Sequence, residues 1–561
     1  PPREYSIIPF WFLNDDLEKG ELLRQLDDFA AHGVYGVVPH ARMGLAREFA
    51  FMSDRWLEMI ACCVEHAAER DMKIILYDEG MYPSGSCAGQ VVAANPHHAT
   101  RALERRKRGS ALEGEEEVIY EDDTWMYVNT RSMGVIRGVH YGMDDSDADA
   151  PASADILNPE SVASFLHLTH DRHYEVLGKH FGKTVLAIFT DEPSVLGRGH
   201  KKDIKPWTWE FEDFLDTFLG YDFRPHLAAL WENTPESLPL KKEFSRAVNA
   251  RLEQSYYKQY SEWCIAHHIT LTGHPAGSMD IGTLKHFQLP GQDVVWRYLE
   301  PFQEKSLEGP HSTMGKCSSS AKVNYGRSRN LNECFGAYGW EFTWEEMRWL
   351  SDWLLVRGVD MLSPHAFYYS VRGERRNERP PDVGPNNVWW DRYKPYADYC
   401  RRISWLNAVG KQVCDIAILT TATQLPWRAA RVLFEHQRDF NYLDGDTLLS
   451  TAKVTKKGIL VGDMHYKALI IDGSDTVEPG VVDALQPLIA SGAVFVYQDI
   501  PHGISGPALD SETLLEALSV FIPDDIVLAP PHPDIRYRHV VIDGGHFYFI
   551  TNEGKQQVET G

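Results

Sequence analysis

The sequence is poor in cysteine, in basic residues and in long apolar runs. Only eight of its 561 residues are cysteine, and no two of them form a Cys-x-x-Cys pair. This pattern favours reduced thiols over disulfides or zinc ligands. No stretch of about 18 uncharged apolar residues occurs, so a membrane-spanning helix is not expected.

Basic residues are outnumbered by acidic ones. The chain carries 56 Lys and Arg against 80 Asp and Glu, a formal net charge of -24. Such a balance repels nucleic acid and anionic lipid, so neither is an expected partner, and a neutral or cationic ligand is favoured. A homo-oligomer is compatible with the sequence, and a bacterial cytoplasmic or periplasmic location is expected. Because the chain begins at Pro1 without Met, a removed leader would leave no trace in it.

Aromatic residues are plentiful. They make up 12% of the chain and include 16 Trp and 25 Tyr. Most are expected in the core. Some are expected to line a groove where flat rings stack on a sugar, and Trp296, Trp340 and Tyr368 are candidates for this role.

One apolar stretch, residues 184–193, ends in two acids followed by proline. Its β-branched and aromatic residues predict a strand buried on both faces, as in a parallel sheet. Asp191 and Glu192 then lie at the carboxyl end of that strand, which is where an α/β barrel carries its chemistry.

Strands alternate with helical stretches along the first 410 residues, which predicts βαβ units. This alternation of strands and helices predicts a (β/α)8 TIM barrel enlarged by insertions, within the α/β class. The predicted strands are residues 5–13, 33–40, 72–77, 184–192, 269–274, 293–296, 329–333 and 359–365.

Three further segments depart from this alternation of strands and helices. A charged stretch near residues 113–152 predicts a small antiparallel insertion. Residues 411–520 predict a three-layer α/β domain of the flavodoxin or amidotransferase kind, without the glycine fingerprint of a dinucleotide site. Residues 521–561 alternate like the start of a β-sandwich.

Polar side chains follow nearly every predicted barrel strand. Because the carboxyl ends of barrel strands converge on one cavity, these residues are expected to bind substrate there. Trp296, Trp340 and Tyr368 are named above. The other candidates are Asn14, Asp15, His40, Arg42, Asp78, Glu79, Asp191, His274 and His365, with Asp293 at the end of the sixth strand.

Two carboxylates in such a cavity suit glycoside hydrolysis, in which one donates a proton and the other activates water or attacks carbon. Glu192 is the candidate general acid, and Glu333 the candidate base or nucleophile. Alternatives remain open: Glu333 could pair with Arg329, and each histidine could be a satisfied core residue. Asp78 and Glu79 could hold substrate hydroxyls or a cation.

Several motifs, taken in order, resemble the barrel of glycoside hydrolase family 106. They are Phe10 to Asp15, Tyr77 to Gly85, Thr190 to Pro193, Asn332 to Trp340 and Ser363 to His365. The resemblance implies an inverting α-L-rhamnosidase with Glu192 and Glu333 as acid and base, and it implies that calcium could lie near the sugar. No cofactor is otherwise required, and no ligand set for a metal can be chosen.

The domain after the barrel resembles that of family 42 β-galactosidases, which implies a retaining enzyme as the alternative. A non-catalytic carbohydrate-binding protein is a third hypothesis. An amidohydrolase on the same fold would need His-x-His at the end of the first strand, where the chain has Phe10-Trp11-Phe12.

Overall fold

The structure is a computed structural model that describes residues 1–478, 480–504 and 506–561. No helix in these ranges is both long enough and apolar enough to cross a bilayer. The strands are β1 Phe10–Leu13, β2 Gly36–Ala41, β3 Lys73–Tyr77, β4 Arg101–Lys107, β5 Glu117–Glu121, β6 Trp125–Arg131, β7 Val185–Asp191, β8 Ile204–Pro206, β9 Thr270–His274, β10 Gly291–Val294, β11 Leu331–Cys334, β12 Met361–Pro364, β13 Phe367–Tyr368, β14 Lys411–Gln412, β15 Ile416–Thr420, β16 Asn441–Asp444, β17 Lys453–Thr455, β18 Gly458–Val461, β19 Met464–Tyr466, β20 Ala468–Asp472, β21 Val494–Tyr497, β22 Ile535–Ile542 and β23 Gly545–Asn552.

Helices separate most of these strands. Short 3-10 and π turns extend several of them. The α-helices are α1 Lys19–Ala31, α2 Asp54–Glu69, α3 Gln90–Ala94, α4 Pro159–Leu166, α5 Arg172–Leu177, α6 Phe211–Leu219, α7 Ser237–Leu252, α8 Gln259–Ala266, α9 Met314–Asn324, α10 Trp344–Val356, α11 Tyr393–Val409, α12 Arg428–Glu435, α13 Gly445–Ser450, α14 Val481–Ile489 and α15 Ser511–Phe521.

The predicted α/β class with parallel sheets is confirmed. One sheet has the strand order β13-β1-β2-β3-β7-β9, and a second has the order β10-β11-β12. Every pairing in both sheets is parallel. Backbone hydrogen bonds also join the two sheets, from Leu289 N to Leu271 O at 3.2 Å and from Ile8 N to Leu362 O at 2.9 Å.

Side-chain caps mark the start of several helices. The side chain of Ser53 accepts a hydrogen bond from Trp56 N, and that of Asn158 accepts from Glu160 N. Thr343 and Glu346 form a reciprocal capping box at the start of α10. These caps satisfy amide groups that the first helical turn leaves without a partner.

The inserted sheet begins earlier than predicted. Strand β4 starts at Arg101, and β5, β6 and β8 complete an antiparallel sheet, so the sheet extends beyond the predicted stretch near residues 113–152. Leu103 and Tyr127 pack against Phe211 and Phe244 of the following helices. Most residues of β4 are charged, so the alternation of apolar and polar residues that predicts a strand is weak there. For this reason the sequence does not predict β4.

The sixth strand is also displaced. It spans Gly291–Val294 rather than residues 293–296, so Asp293 lies inside it. Trp296 lies beyond the strand with φ 56, in the left-handed region. The predicted run included Val295 and Trp296, whose apolar side chains belong to the loop that follows.

After residue 410 the chain forms smaller sheets. Strands β16, β15, β20 and β21 form a parallel sheet, and β16 was not predicted. Strands β22 and β23 form a long antiparallel hairpin that pairs with β14. In the described part of residues 521–561, the strands belong to this one three-stranded sheet, so the β-sandwich stays a prediction.

Candidate active site

A cavity of about 270 Å³ opens at the carboxyl ends of the parallel strands. Carboxylates, arginines and aromatic rings share its wall. It is lined by Arg42, Tyr82, Asp191, Glu192, Arg198, Ala276, Asp293, Val295, Trp296, Tyr298, Glu333, Gly336, Ala337, His365 and Arg379.

The parallel register of the strands brings four ionisable side chains side by side. Asp191 is the partner of His274 across β7 and β9. Asp293 is the partner of Glu333 across β10 and β11. Residues at the same level of neighbouring parallel strands are less than about 5 Å apart along the sheet, so four groups from four strands meet at one level.

Glu192 follows β7 directly and has a strained backbone. Its φ is 43, which is uncommon for a residue with a side chain, and its N–H donates to His274 O at 3.3 Å. Such strain is often found at functional sites. Burial, together with the negative charges of Asp293 and Asp191, raises the pKa of Glu192 to about 8.

His274 lies buried among the carboxylates. Its Nε2 is 3.1 Å from Glu333 Oε2 and 3.5 Å from Asp191 Oδ1. Burial alone would lower the pKa of His274, but Asp293, Glu333 and Asp191 raise it well above the usual value. The imidazolium is therefore the cation that balances this end of the cavity.

Glu333 is the buried carboxylate that His274 holds. Burial and the charges of Asp191 and Asp293 raise the pKa of Glu333 to about 7, while the hydrogen bond from His274 opposes that rise. The predicted alternative partner, Arg329, instead donates to Asp360 at 2.6 Å. A neighbouring cation and a lower pKa than that of Glu192 suit the ionised member of an acid–base pair.

The opposite wall of the cavity is basic and aromatic. Arg42 Nη2 lies 3.4 Å from His365 Nε2, and the guanidinium of Arg379 lies 4.5 Å from the centre of the Trp296 ring. Gly336 separates this wall from the acids, because a Cβ there would lie 3.0 Å from His365 Cγ and 3.3 Å from Glu333 Oε1.

Seven of the fifteen predicted site residues line the cavity. They are Arg42, Asp191, Glu192, Asp293, Trp296, Glu333 and His365. His274 lies directly behind them, in contact with Glu333.

Asp78 and Glu79 do not line the cavity, which corrects the prediction that they hold substrate. Asp78 accepts hydrogen bonds from Ser84 Oγ at 2.5 Å and Tyr260 OH at 3.1 Å. Glu79 accepts from four backbone N–H groups of the loop that follows it, those of Gly80, Ser86, Cys87 and Ala88. Both acids are wholly buried and fix the loop that carries Tyr82.

Asn14 and Asp15 are likewise turned away from the cavity lining. Asn14 exchanges two hydrogen bonds with the backbone of Ser370, at 2.9 and 3.0 Å. Asp15 pairs with Arg372 at 2.7 Å and Arg375 at 2.9 Å. These contacts hold the segment after β13 against the end of β1, so the two residues are structural.

Three further aromatic or imidazole candidates also lie outside the cavity lining. His40 is fully buried and stacks on Tyr77 with 3.7 Å between ring centres, and Tyr77 OH donates to Asp191 at 2.5 Å. Trp340 donates to Arg376 O at 2.7 Å and lies outside the cavity. Tyr368 is buried and donates to Glu378 O at 2.5 Å.

Sequence reasoning missed four polar residues of the cavity wall. Tyr82, Arg198, Tyr298 and Arg379 all come from loops. Tyr82 belongs to one of the motifs that carry the family resemblance, which is the one clue to its position. The arginines follow no strand end, so no local pattern could identify them.

Among the residues that the structure describes, two groups of side chains are close enough to hold a metal ion: Asp191 with His274 and Glu333, and Glu192 with His274 and Asp293. Each includes the imidazole of His274. Calcium takes oxygen ligands, so neither group as a whole is a calcium site. Calcium therefore stays an implication of the family resemblance.

Comparison with known proteins decides the family. Residues 146–519, about two thirds of the chain, match glycoside hydrolase family 106, described as alpha-L-rhamnosidase. The chain belongs to this family. The match extends past the parallel sheets into the α/β segment after residue 410.

One curated relative of this family 106 chain is a protein of Formosa agariphila proposed to be a beta-glucuronidase. It is 23% identical over 391 residues, which are 63% of this chain. The chain spans only 32% of the length of that relative.

Two solved structures share the fold of this family 106 chain. A rhamnosidase from Novosphingobium sp. PP1Y matches with a TM-score of 0.71 and 12% identity over 98% of this chain and 77% of its own. A beta-galactosidase from Rahnella sp. R3 matches with a TM-score of 0.55 and 11% identity over 98% and 81%. At these identities the likeness concerns the fold alone.

Proposed function

We propose that this glycoside hydrolase removes a terminal α-L-rhamnose from a glycoside and inverts its anomeric configuration. The observation that carries the proposal is that Glu192 and Glu333 line one cavity and have raised pKa values of about 8 and about 7. Membership of family 106 and the fold of the Novosphingobium rhamnosidase support the choice of sugar.

The two glutamates take opposite roles because their surroundings differ. Glu192 lies near Asp293 and Asp191, which favour its protonated form, and it donates that proton to the glycosidic oxygen. Glu333 accepts a hydrogen bond from His274, which favours its ionised form, and it takes a proton from the attacking water. In one turnover Glu192 loses one proton and Glu333 gains one, and water supplies the new hydroxyl on the sugar.

Asp191 and Asp293 complete the acidic end of the cavity. Both are buried and lie at the level of the catalytic pair. Their carboxylates are suited to accept hydrogen bonds from sugar hydroxyls, and their charge favours the positive character of an oxocarbenium-like transition state. Trp296, which is 45% exposed, offers a flat apolar ring at the mouth.

The scaffold that we propose for this site is a closed (β/α)8 barrel made of β1, β2, β3, β7, β9, β10, β11 and β12. The hydrogen bonds that join Leu271 with Leu289 and Ile8 with Leu362 support closure at both seams between the two parallel sheets. We propose domain limits of residues 1–410, 411–520 and 521–561.

Hydrolysis of aryl glycosides tests the function. We expect the chain to hydrolyse an aryl α-L-rhamnoside and to release β-L-rhamnose first, as seen by NMR. Glu192→Gln and Glu333→Gln should each lower kcat by a factor of about 10² to 10⁴ or more, because each removes a proton-transfer group. Glu559→Gln, an exposed site far along the chain, is the matched control.

The alternatives predict different products. A retaining enzyme releases the anomer of the starting configuration, and hydrolysis of an aryl β-galactoside or β-glucuronide in preference to the rhamnoside would replace the proposed sugar. Saturable binding of rhamnosides in calorimetry with no product would indicate a carbohydrate-binding protein.

A further inference from the structure

A second cavity, of about 290 Å³, lies beside the carboxyl-terminal ends of α9 and α11. Its wall includes Lys322 of α9, Lys411 of β14 and Arg538 of β22. None of its described lining residues belongs to the cavity of the candidate active site. Cavities that bind small molecules measure about 300 Å³ or more, so this one admits a small ion or a compact organic molecule.

The wall of this second cavity is basic, although the chain carries a net charge of -24. Its ionisable side chains are four cations and one acid, namely Lys322, Arg327, Lys411, Arg538 and Asp463. The local charge therefore has the opposite sign to that of the whole molecule.

Acids behind the wall do not remove this positive charge, because each of them also binds a cation outside the lining. Asp360 pairs with Lys322 and with Arg329. Asp439 pairs with Lys316. The wall alone has four cations against one acid, and the wall with these outer groups has six against three. The excess is three positive charges in either count.

Arg538 is the most buried cation of the wall that has no acidic partner. Its side chain is almost fully buried, and among the described residues no carboxylate oxygen lies within 4.0 Å of its guanidinium nitrogens. Its Nε donates to Asn407 Oδ1 at 3.0 Å, whereas its Nη1 is buried without a hydrogen-bond partner. A buried charge is costly unless an opposite charge compensates it, and the protein itself supplies no such contact here.

Asn407 holds two of the cations side by side. Its side-chain oxygen accepts from Arg538, and its backbone oxygen accepts from Lys322 Nζ at 2.9 Å. Burial lowers the pKa of Lys322 and the charge of Arg538 lowers it further, whereas Asp360 opposes this shift. The two cations are thus fixed in place before a ligand arrives, which reduces the entropy that binding an anion would cost.

Cations at helix ends also have a structural explanation. Lys322 lies in the last turn of α9, and Lys411 lies two residues after the end of α11. Each helix end carries about half a unit of negative charge, so the two together balance about one of the three excess charges. Two of the last carbonyls of α9 already accept backbone hydrogen bonds, Lys322 O from Arg327 N at 2.7 Å and Val323 O from Asp463 N at 3.2 Å. About two positive charges are left unbalanced.

We propose that this second cavity binds a phosphate group, held by Arg327, Lys411 and Arg538. A phosphate group carries about two negative charges at pH 7, which matches the charge that the helix ends leave unbalanced. Charge-assisted hydrogen bonds from lysine and arginine are the contacts that such an oxyanion makes in proteins. The bound group links the ends of α9 and α11 to β14 and β22, and its binding does not depend on the proposed glycoside hydrolysis.

Calorimetric titration of the whole chain with inorganic phosphate tests the site. We expect saturable binding of one phosphate at pH 7 in a buffer of constant ionic strength. Lys411→Gln and Arg327→Gln should each weaken this binding about tenfold or more, because each removes a charged hydrogen-bond donor. Both side chains are at least partly exposed, so the fold should persist, and thermal unfolding without phosphate checks that it does.

Lys457→Gln is the matched control. Lys457 is exposed like Lys411, lies in the same part of the chain and is absent from the cavity lining. It should keep the wild-type affinity. No saturable binding to the wild type, or unchanged affinity in either Lys411→Gln or Arg327→Gln, would overturn the proposal and leave the cations with the helix ends alone.

The arginines of the candidate active site offer phosphate a different place to bind, so their contribution is measured separately. Arg379 lines that cavity, and Arg379→Gln should bind phosphate as tightly as the wild type. Loss of binding in Arg379→Gln, with full affinity in Lys411→Gln, would place the ion in the active site and overturn the proposal.

Glucose 6-phosphate identifies the source of the phosphate group. Tighter binding of this ester than of inorganic phosphate would identify a phosphorylated metabolite, and equal or weaker binding would identify the free ion; both results support a phosphate site. Glucose alone should not compete with inorganic phosphate, and competition by glucose would contradict recognition through charge. Because every readout is binding, the absence of rhamnoside hydrolysis would leave this test unaffected.

Discussion

His274 sets the charge balance of the cavity at the scale of single residues. Its imidazolium lies between Glu333 and Asp191, and the burial of all three makes their interaction stronger than at a surface. The charge of His274 lowers the pKa of both Glu192 and Glu333, but its hydrogen bond goes to Glu333. His274 therefore favours the ionised form of Glu333 more directly than that of Glu192.

The pH dependence of kcat/KM should be bell-shaped. Activity requires Glu333 ionised, so it rises with pH through about 7, and it requires Glu192 protonated, so it falls with pH through about 8. Because the two groups interact, the two apparent values belong to the pair. Rates for an aryl rhamnoside measured from pH 5 to 10 check this expectation.

His274→Gln offers a sharper version of the same measurement. Without the imidazolium, the pKa of Glu333 should rise, so the ascending limb should move to higher pH. An ascending limb that stays in place in this variant would show that His274 does not control the protonation of Glu333.

At the scale of elements, the strand that carries Glu333 is followed by a loop and then by α10. This helix begins with the Thr343 and Glu346 capping box. The side chain of Thr343 accepts from Glu346 N at 3.2 Å, and Glu346 accepts from Thr343 N at 2.8 Å. The cap thus ends the loop that contains Gly336, and it does so without contact to the cavity.

Thr343→Ala should destabilise the fold by about 1 kcal/mol, because an amide of the first helical turn loses its acceptor. Thr343→Ser keeps a hydroxyl and should stay within a few tenths of a kcal/mol of the wild type. Thermal unfolding of both variants checks this, with kcat on an aryl rhamnoside expected to be unchanged. Equal destabilisation by Ala and Ser would show that the hydroxyl is not the stabilising group.

At the scale of the whole molecule, the C-terminal hairpin is tied to α10 and its C-terminal end. Glu553, just after β23, pairs with Arg357 and lies 3.1 Å from Arg536 Nε. Its backbone oxygen accepts from Trp349 Nε1 at 3.0 Å. All three charged side chains are buried, so each depends on the others for compensation.

Glu553→Gln should lower the unfolding temperature strongly, since two buried guanidinium groups lose their shared carboxylate. Breaking a buried ion pair costs about 3–5 kcal/mol. Differential scanning calorimetry measures the shift, and Glu559→Gln, which alters an exposed glutamate of the same segment, is the control. If the unfolding temperature fell no further in Glu553→Gln than in Glu559→Gln, the ion pairs between the hairpin and the rest of the protein would contribute little to stability.

The sequence by itself determined most strands of the two large parallel sheets and the level of the site. Apolar runs that stop at acids predicted the strands, and the strand ends predicted that Glu192 and Glu333 would share a cavity. These features are local, because burial on both faces selects the apolar residues and the strand end exposes the polar one.

Only the tertiary structure decided which polar strand ends line the cavity. Asp78 and Asn14 follow strands as Glu333 does, yet Asp78 is held by Ser84 and Tyr260, and Asn14 by Ser370. Arg379 reaches the cavity from a loop that no pattern marks. The physical reason is that a side chain's direction and charge state depend on partners far away in the chain, which burial, register and loop contacts bring together only after folding.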